Sequence, residues 1–331
     1  MIFYTIAALC IVLLGCMKDE YIYIHNQRQF KNLSDSTTTS LHVTIPRIEW
    51  SRTKSSSSGI NIYVSVTDQD GKVIQEFNEH NFKLSYLCKG QPEIVDVKQH
   101  KSIPTDNLKS HIAAALTMDY SGSMSSHDIV NMESAVKQFI ELKDPNDYLQ
   151  IIKFASTVKV MNEFSAENDI LIKAVEEHAA IGGMTAYYDA IYYGLENAND
   201  FILQHNDFIP SILAFTDGWE NNSVIIKTVD ELIETANQKQ IPLYTIGFGS
   251  VDSDGMTRMS EETGGRYFYT PDSDGIDVLY DLISGQFDNI YGLTFEYFHI
   301  ECDELTIQVE VTYENKNGVL NASTSKDFIL Q

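Results

Sequence analysis

The sequence predicts an α/β fold: a doubly wound, mostly parallel sheet inserted in a small β-sandwich that the N- and C-terminal flanks build together. Three observations carry this. Between residues 110 and 290, short apolar runs of strand length alternate with stretches whose apolar residues recur at helical spacing. That order lays strands parallel and puts helices on both faces. Residues 41–109 show period-two alternation and turn signals with no helical pattern, and residues 291–331 return to the same character. Two strands and a tail are marginal alone, so the second flank is expected to complete the sheet begun by the first. No internal repeat interrupts the scheme.

The chain has 331 residues, more than one compact core usually needs, which fits two units. Its 43% hydrophobic and 21% charged residues are those of a folded protein. The formal charge of -24 excludes nucleic acid as a natural partner, because phosphate neutralisation needs clustered Lys and Arg. Such a surface suits divalent cations, and it also serves plain solubility.

At the amino terminus, residues 2–15 (IFYTIAALCIVLLG) carry no charge. A membrane-spanning helix needs about 20 apolar residues, so this run fits the apolar core of a secretory signal instead. The stretch Leu13-Leu14-Gly15-Cys16 resembles the lipobox of bacterial lipoproteins, although no Lys or Arg precedes the run. Met17-Lys18-Asp19-Glu20 resembles the Lys-acid-acid tag that sends some Gram-negative lipoproteins to the outer face of the outer membrane. The expectation is a signal peptide over 1–15, lipid on Cys16, a polar tether over 16–40, and a place in the cell envelope at the outer membrane, facing either the periplasm or the outside. Cys10 would leave with the signal. Cys88 and Cys302 then form an even pair in an oxidising compartment, as a disulfide joining the two flanks or as two separate buried thiols.

The first β part comprises strands at 41–45, 60–66 and 82–88, with a polar loop at 51–59, a turn at 68–71 and a further strand starting at 73–74. In the third strand Phe82, Leu84, Tyr86 and Cys88 share one face. The central unit, 110–290, has strands at 112–118, 148–154, 212–215 and 243–248 and a short edge piece at 266–269. Helices are expected near 126–142, 168–179, 185–204, 227–239 and 275–289. In the first of these Met132, Val136, Phe139 and Ile140 recur at helical spacing and should face the sheet. In the second β part, 291–331, strands at 292–300 and 305–313 precede a hairpin turn at 315–318, and the chain closes on 328–330.

Open α/β sheets bind ligands beyond the carboxyl ends of their strands, where strand order switches. MDYSGSM (118–124) lies at such an end, and so does Phe215-Thr216-Asp217-Gly218. A third loop, Ile181-Gly182-Gly183-Met184-Thr185, opens the helix carrying Asp189. The side chains that should converge are Asp119, Ser121, Ser123, Thr185 and Asp217. All five offer oxygen, which suits Mg²⁺, Ca²⁺ or Mn²⁺; zinc and copper would call for His or Cys. Gly122 is expected to let the backbone turn tightly between the serines. Asp189 is expected to cap or brace its own helix, Tyr187 to face a ligand, Tyr188 and Tyr192 to pack, and His111 to be solvated.

The pattern Asp119-Tyr-Ser-Gly-Ser123 with Gly183-Met-Thr185 and Thr216-Asp217-Gly218 resembles the von Willebrand factor type A (vWA) domain, a Rossmann-like fold, and its metal-ion-dependent adhesion site. Tyr244-Thr-Ile-Gly-Phe-Gly249 and Thr263-Gly-Gly-Arg-Tyr-Phe268 extend the likeness over roughly 110–290. The resemblance implies that Asp119, Ser121, Ser123, Thr185 and Asp217 hold a divalent cation, Mg²⁺ first, and that an acidic group of a partner protein completes its coordination. Two other readings are a scaffold in which the metal only braces loops, and a Mg²⁺-dependent phosphohydrolase. The last would want a second carboxylate close after the nucleophile, where Ser121 stands. No P-loop is present, Gly247-Phe-Gly249 lacks the third glycine of a dinucleotide site, and neither serine has an assignable His base. An enzyme is therefore not expected.

Overall fold

The computed structural model describes residues 31–32, 35, 37–52, 58–75, 77–97, 100–102, 111–178, 182–275, 290–297, 302 and 304–329. The signal segment, Cys16 and the helix expected near 275–289 (beyond residue 275) lie outside them. In chain order the elements are β1 (Lys31–Asn32), β2 (Leu41–Arg52), β3 (Ser58–Asp68), β4 (Phe82–Cys88), β5 (Ile94–Asp96), β6 (Lys101–Ser102) and β7 (His111–Asp119). Then follow α1 (Ser126–Leu142), β8 (Tyr148–Phe154), β9 (Val158–Val160), α2 (Asn168–Glu176), α3 (Tyr187–Gln204) and β10 (Phe208–Thr216). The chain continues through α4 (Val229–Lys239), β11 (Leu243–Phe248), α5 (Ser253–Glu261), β12 (Tyr267–Thr270), β13 (Tyr291–Tyr297), β14 (Glu304–Asn315) and β15 (Gly318–Ile329). None of the described helices is long and apolar enough to cross a membrane.

The central sheet runs β12-β11-β10-β7-β8-β9. All its pairs are parallel except β8–β9 at one edge. Period-two alternation sorts β7 between two cores. Ala114, Leu116 and Met118 face α1 and α2 through Met132, Val136, Phe139 and Leu171. Ala115 faces α3, α4 and α5 through Ile191, Leu195, Leu232 and Met256. Each fully buried Leu or Ile here contributes about 1.5–3 kcal/mol of transfer free energy. The chain passes from β7 to β8 on one side and returns to β10 on the other. The switch in strand order therefore falls between β7 and β10.

The flanks form two sheets. In one, β14 lies between β4 and β15, with β5 beyond β4 and β1 beside the end of β14. The other runs β2-β3-β13-β6. Their shared core includes Ile60, Ile62, Leu84, Leu293, Ile307 and Val309. Strands from both ends of the chain thus interleave in both sheets, and a disulfide joins Cys88 to Cys302 across 214 residues of sequence.

Several expectations need correction. Val73 makes only an isolated bridge to Thr67, so no strand starts at 73–74. The polar stretch read as a loop from residue 51 is partly strand, because Ser51 and Arg52 pair with Gly59 and Ser58. The second flank supplies three strands, since β15 begins at the turn and pairs along all of β14. Helix α5 was not expected; it carries Gly255 and only two large apolar residues on its buried face, Met256 and Met259. The end of the expected tether is docked: Asp35 accepts from the Tyr313 hydroxyl at 2.9 Å, and the Thr38 carbonyl accepts from Asn315 at 2.9 Å.

The two units meet at a polar seam. A register shift in β2 between Thr44 and Arg47, at Pro46, turns two carbonyls out of the ladder. Lys326 of β15 donates to them, Ile45 O at 3.1 Å and Pro46 O at 3.0 Å, and to Thr263 O of the central unit at 2.9 Å. Arg266 donates to Thr67 Oγ1, Asp68 O and Gln69 O of the sandwich. Lys326 is buried, and that burial, with the positive charge of Arg47 added, drives its ammonium from the ordinary 10.5 down to about 7.

A depressed lysine means that the unfolded chain binds more protons than the folded one between those two values, so stability should rise with pH from about 7. Denaturant titrations between pH 7 and 9 should show Lys326 contributing up to about 1.4 kcal/mol per pH unit. Lys326→Met should remove that slope, and by stranding three carbonyls it should cost about 2–4 kcal/mol at pH 7.

Candidate metal centre

Strand β7 ends at Asp119 and the neighbouring β10 ends at Thr216, so both acidic residues emerge side by side at the switch point. Asp119 is fully buried. Its Oδ1 accepts from the Ser121 amide at 2.7 Å, and its Oδ2 accepts from the Thr216 hydroxyl at 2.6 Å. The Ser121 and Ser123 hydroxyls lie 3.1 Å apart, and Ser123 Oγ donates to Asp217 Oδ1 at 2.6 Å. Alternate spacing therefore does bring the two hydroxyls onto one side. Tyr120, between them, turns into the core, where its hydroxyl donates to Glu133 at 2.8 Å.

Thr185 reaches the same place from the loop before α3. A Cβ on Gly218 would lie 3.1 Å from Ser123 Oγ and 3.9 Å from Thr185 Oγ1, so these two hydroxyls border the bare backbone of residue 218. Gly122 works the same way. The expected tight turn is present, closed by Met124 N donating to Ser121 O at 3.1 Å, and it needs no positive φ; a Cβ on Gly122 would sit 3.2 Å from the Gly183 carbonyl. Small residues are needed because three loops close on one point.

Helix α3 has no side-chain cap of its own at Ala186. Its first free amides are capped from the loop after Asp217: Tyr188 N donates to Glu220 Oε2 and Asp189 N to Ser223 Oγ, both at 2.9 Å. Thr185 is pinned to that loop as well. Its amide donates to Asn221 Oδ1 at 2.8 Å, and its carbonyl accepts from the amides of Asn221 and Asn222. Asp189 braces this loop rather than its own helix, accepting from the amides of Val224, Ile225 and Ile226. Tyr187 is 3% exposed and packs on Phe154, and its buried hydroxyl feels the charge of Asp119. Tyr188 is buried, as expected, and Tyr192 packs against the same core cluster.

Burial pushes the Asp119 carboxyl up to about 6, against the pull of its hydrogen bonds from Thr216 and Ser121, and the charge of Asp217 adds to the rise. Asp217 is raised too, by burial first and by the charge of Asp128. No basic side chain among the described residues offsets either shift. A buried carboxylate and a half-buried one, bordered by three hydroxyls with neither nitrogen nor sulfur, fit a hard divalent cation.

A second group of ligand atoms lies at the opposite end of β7, roughly 26 Å away at strand rise. His111 Nδ1 is 3.5 Å from Asp144 Oδ1 and 3.9 Å from Asp147 Oδ1. His111 is therefore half-buried rather than solvated. Both carboxylates already brace backbone, Asp147 the Ile112 amide and Asp144 the Asn146 amide, each at 2.8 Å.

A parallel sheet whose switch point gathers acidic and hydroxyl oxygens defines a metal-centred α/β module. Residues 115–282 match the von Willebrand factor type A domain, and the chain belongs to that family. It is 28% identical over 136 residues to the uncharacterized protein sll0103 of Synechocystis sp. (strain ATCC 27184 / PCC 6803 / Kazusa), a match covering 40% of this chain and 31% of that relative. The chain thus spans about a third of that relative's length. Among solved structures it is similar to a von Willebrand factor type A protein from Catenulispora acidiphila, at a TM-score of 0.49 and 9% identity, covering 90% of this chain and 75% of the other. It is also similar to proximal thread matrix protein 1 of the mussel byssus with a zinc-occupied metal-ion-dependent adhesion site, at a TM-score of 0.49 and 14% identity, covering 60% and 50%.

An acid whose folded pKa lies above its ordinary 3.8 contributes stability that is present below that value and lost as pH rises through about 6. Metal-free Asp119→Asn should therefore be more stable than the metal-free wild type at pH 7, by about 3 kcal/mol at most, with the gap closing by pH 4. Paired denaturant melts in EDTA at the two pH values check this.

Proposed function

We propose that the chain is a divalent-metal-dependent protein-binding module of the cell envelope, in adhesion or assembly, held at the outer membrane by lipid on Cys16. Asp119, Ser121, Ser123, Thr185 and Asp217 would hold the ion, Mg²⁺ first. The ion would supply an exchangeable position for an acidic side chain of the partner. The observation that carries this reading is the buried Asp119 carboxylate beside the half-buried Asp217 at the switch point, with no basic side chain among the described residues acting on either. Such a pair repels an approaching acid; roughly neutralised, it can accept one. Thr216 and Ser123 fix the rotamers of Asp119 and Asp217 by direct hydrogen bonds, so the donors are ordered before any ligand arrives.

One observation favours a second reading, in which the ion only braces the loops. The contacts Thr216–Asp119 and Ser123–Asp217 already tie β7 to β10, and the same spot could serve stability alone. Pull-down from native envelope with and without EDTA, repeated with Asp119→Ala, separates the two. Interaction should fall by more than about tenfold in both cases, which at 1.4 kcal/mol per decade is within reach of one lost coordination bond. A large Mg²⁺-dependent rise in Tm combined with unchanged partner capture would favour the brace. For the anchor, mass analysis of the mature protein should find a diacylated or triacylated Cys16 as the first residue; an unmodified chain beginning elsewhere would refute it.

A further inference from the structure

We propose that the rim of this site is a docking surface for a protein segment whose single acidic residue is flanked by apolar side chains. The inference rests on the metal-binding reading above and names its partner class. The carrying observation is the loop between β10 and α4, which has neither helix nor strand yet is held amide by amide. Glu220 Oε1 accepts from Asn222 N and Ser223 N, both at 2.7 Å. Asp189, itself buried, accepts from Val224 N at 2.7 Å, Ile225 N at 2.9 Å and Ile226 N at 3.1 Å. Five consecutive amides are thereby fixed by two carboxylates.

A loop held this firmly would be expected to bury its apolar residues. This one buries Ile226 and presents the others: Trp219 is 57% exposed, Val224 73% and Ile225 44%. Met184, 44% exposed, stands on the opposite loop, next to Thr185. Trp219 is two residues from Asp217, so two different site loops both carry large apolar side chains into solvent. Rigid, exposed aromatic and aliphatic groups bind at low ordering cost, and Trp is the residue most enriched where binding energy concentrates.

Charge chooses the partner. The chain carries a net -24, so an acid-rich segment would be repelled over the Debye length of about 8 Å as it approached. A lone Asp or Glu between apolar neighbours avoids that repulsion, gains the metal contact, and covers the rim. Neither half suffices: without the cation the acid meets two carboxylates, and without the apolar neighbours the rim stays wet.

The test uses the full chain in Mg²⁺ and blocked pentapeptides Gly-Leu-Glu-Phe-Gly, Gly-Gly-Glu-Gly-Gly and Gly-Leu-Gln-Phe-Gly, with calorimetry for binding and Tm for metal occupancy. The apolar-flanked glutamate peptide should bind at least about tenfold tighter than the glycine-flanked one, the gain being part of two side chains' burial. EDTA or the glutamine peptide should abolish binding. Trp219→Ala and Val224→Ser should each reduce the apolar-flanked peptide toward the glycine-flanked level, with the Mg²⁺-induced rise in Tm unchanged. Equal affinity for the two glutamate peptides, no loss in either variant, binding that survives EDTA, or no peptide binding by a protein that still responds to Mg²⁺ each overturns the docking surface and leaves the metal site standing. Absence of any Mg²⁺ effect on wild-type Tm, together with no glutamate-peptide binding, sinks the metal site itself.

Discussion

Asp119 is a carboxylate at the end of a buried strand, withdrawn from water and faced by a second acid. Everything around it answers that one electrostatic problem. The hydrogen bonds from Thr216 and the Ser121 amide stabilise the charge but do not cancel the desolvation, since the carboxyl still titrates near 6. A chain selected only for stability would replace such a group with an amide or an apolar residue, because an uncompensated buried charge is among the costliest features a core can hold. Its presence at a topological switch point, beside hydroxyls and bare glycine backbone, makes sense when positive charge arrives from outside.

That requirement spreads outward through the loops. Three segments far apart in sequence must meet within ångströms, and ordinary loops are too mobile to do so. The chain meets this by lending caps: the first free amides of α3 are satisfied by Glu220 and Ser223, and Asp189 in return fixes the amides of 224–226. The exchange is reciprocal. Helix α3 and the loop after Asp217 cannot shift independently, so Thr185 and Asp217 hold their positions as one body.

Much of this was legible in the sequence, and the rest was hidden for physical reasons. The buried parallel strands stood out because residues covered on both faces leave continuous apolar runs, as at Ile112 to Met118. Strand β15 was nearly invisible, since its Asn, Ser, Thr and Lys residues alternate in an exposed strand with little apolar signal. Helix α5 hid behind a glycine and a short apolar face. At the site, D-x-S-x-S displays its spacing because its side chains act directly. Thr216, Glu220 and Ser223 act across the fold through hydrogen bonds to partners up to 97 residues away, and no local pattern marks that. Gly122 does sit in the expected turn, but the close approach of Gly183 that its missing side chain admits comes from a distant loop and left no mark in the sequence.

The insertion of one unit in the other has a geometric consequence. The seam contacts of the central unit, Gln240, Thr263 and Arg266, immediately precede β11 and β12. They therefore lie at the amino ends of the parallel strands, while Asp119 and Asp217 lie at the carboxyl ends. Among the described residues, the sandwich grips the sheet at the amino ends of its strands, opposite the end that carries the site. It also holds Asp35, Thr38 and β1, the described part of the path toward the amino terminus. Lys326 joins β2, β15 and the loop before β12 through one buried amino group, so the unit that carries the site is fixed to the sandwich at the end of the sheet away from Asp119.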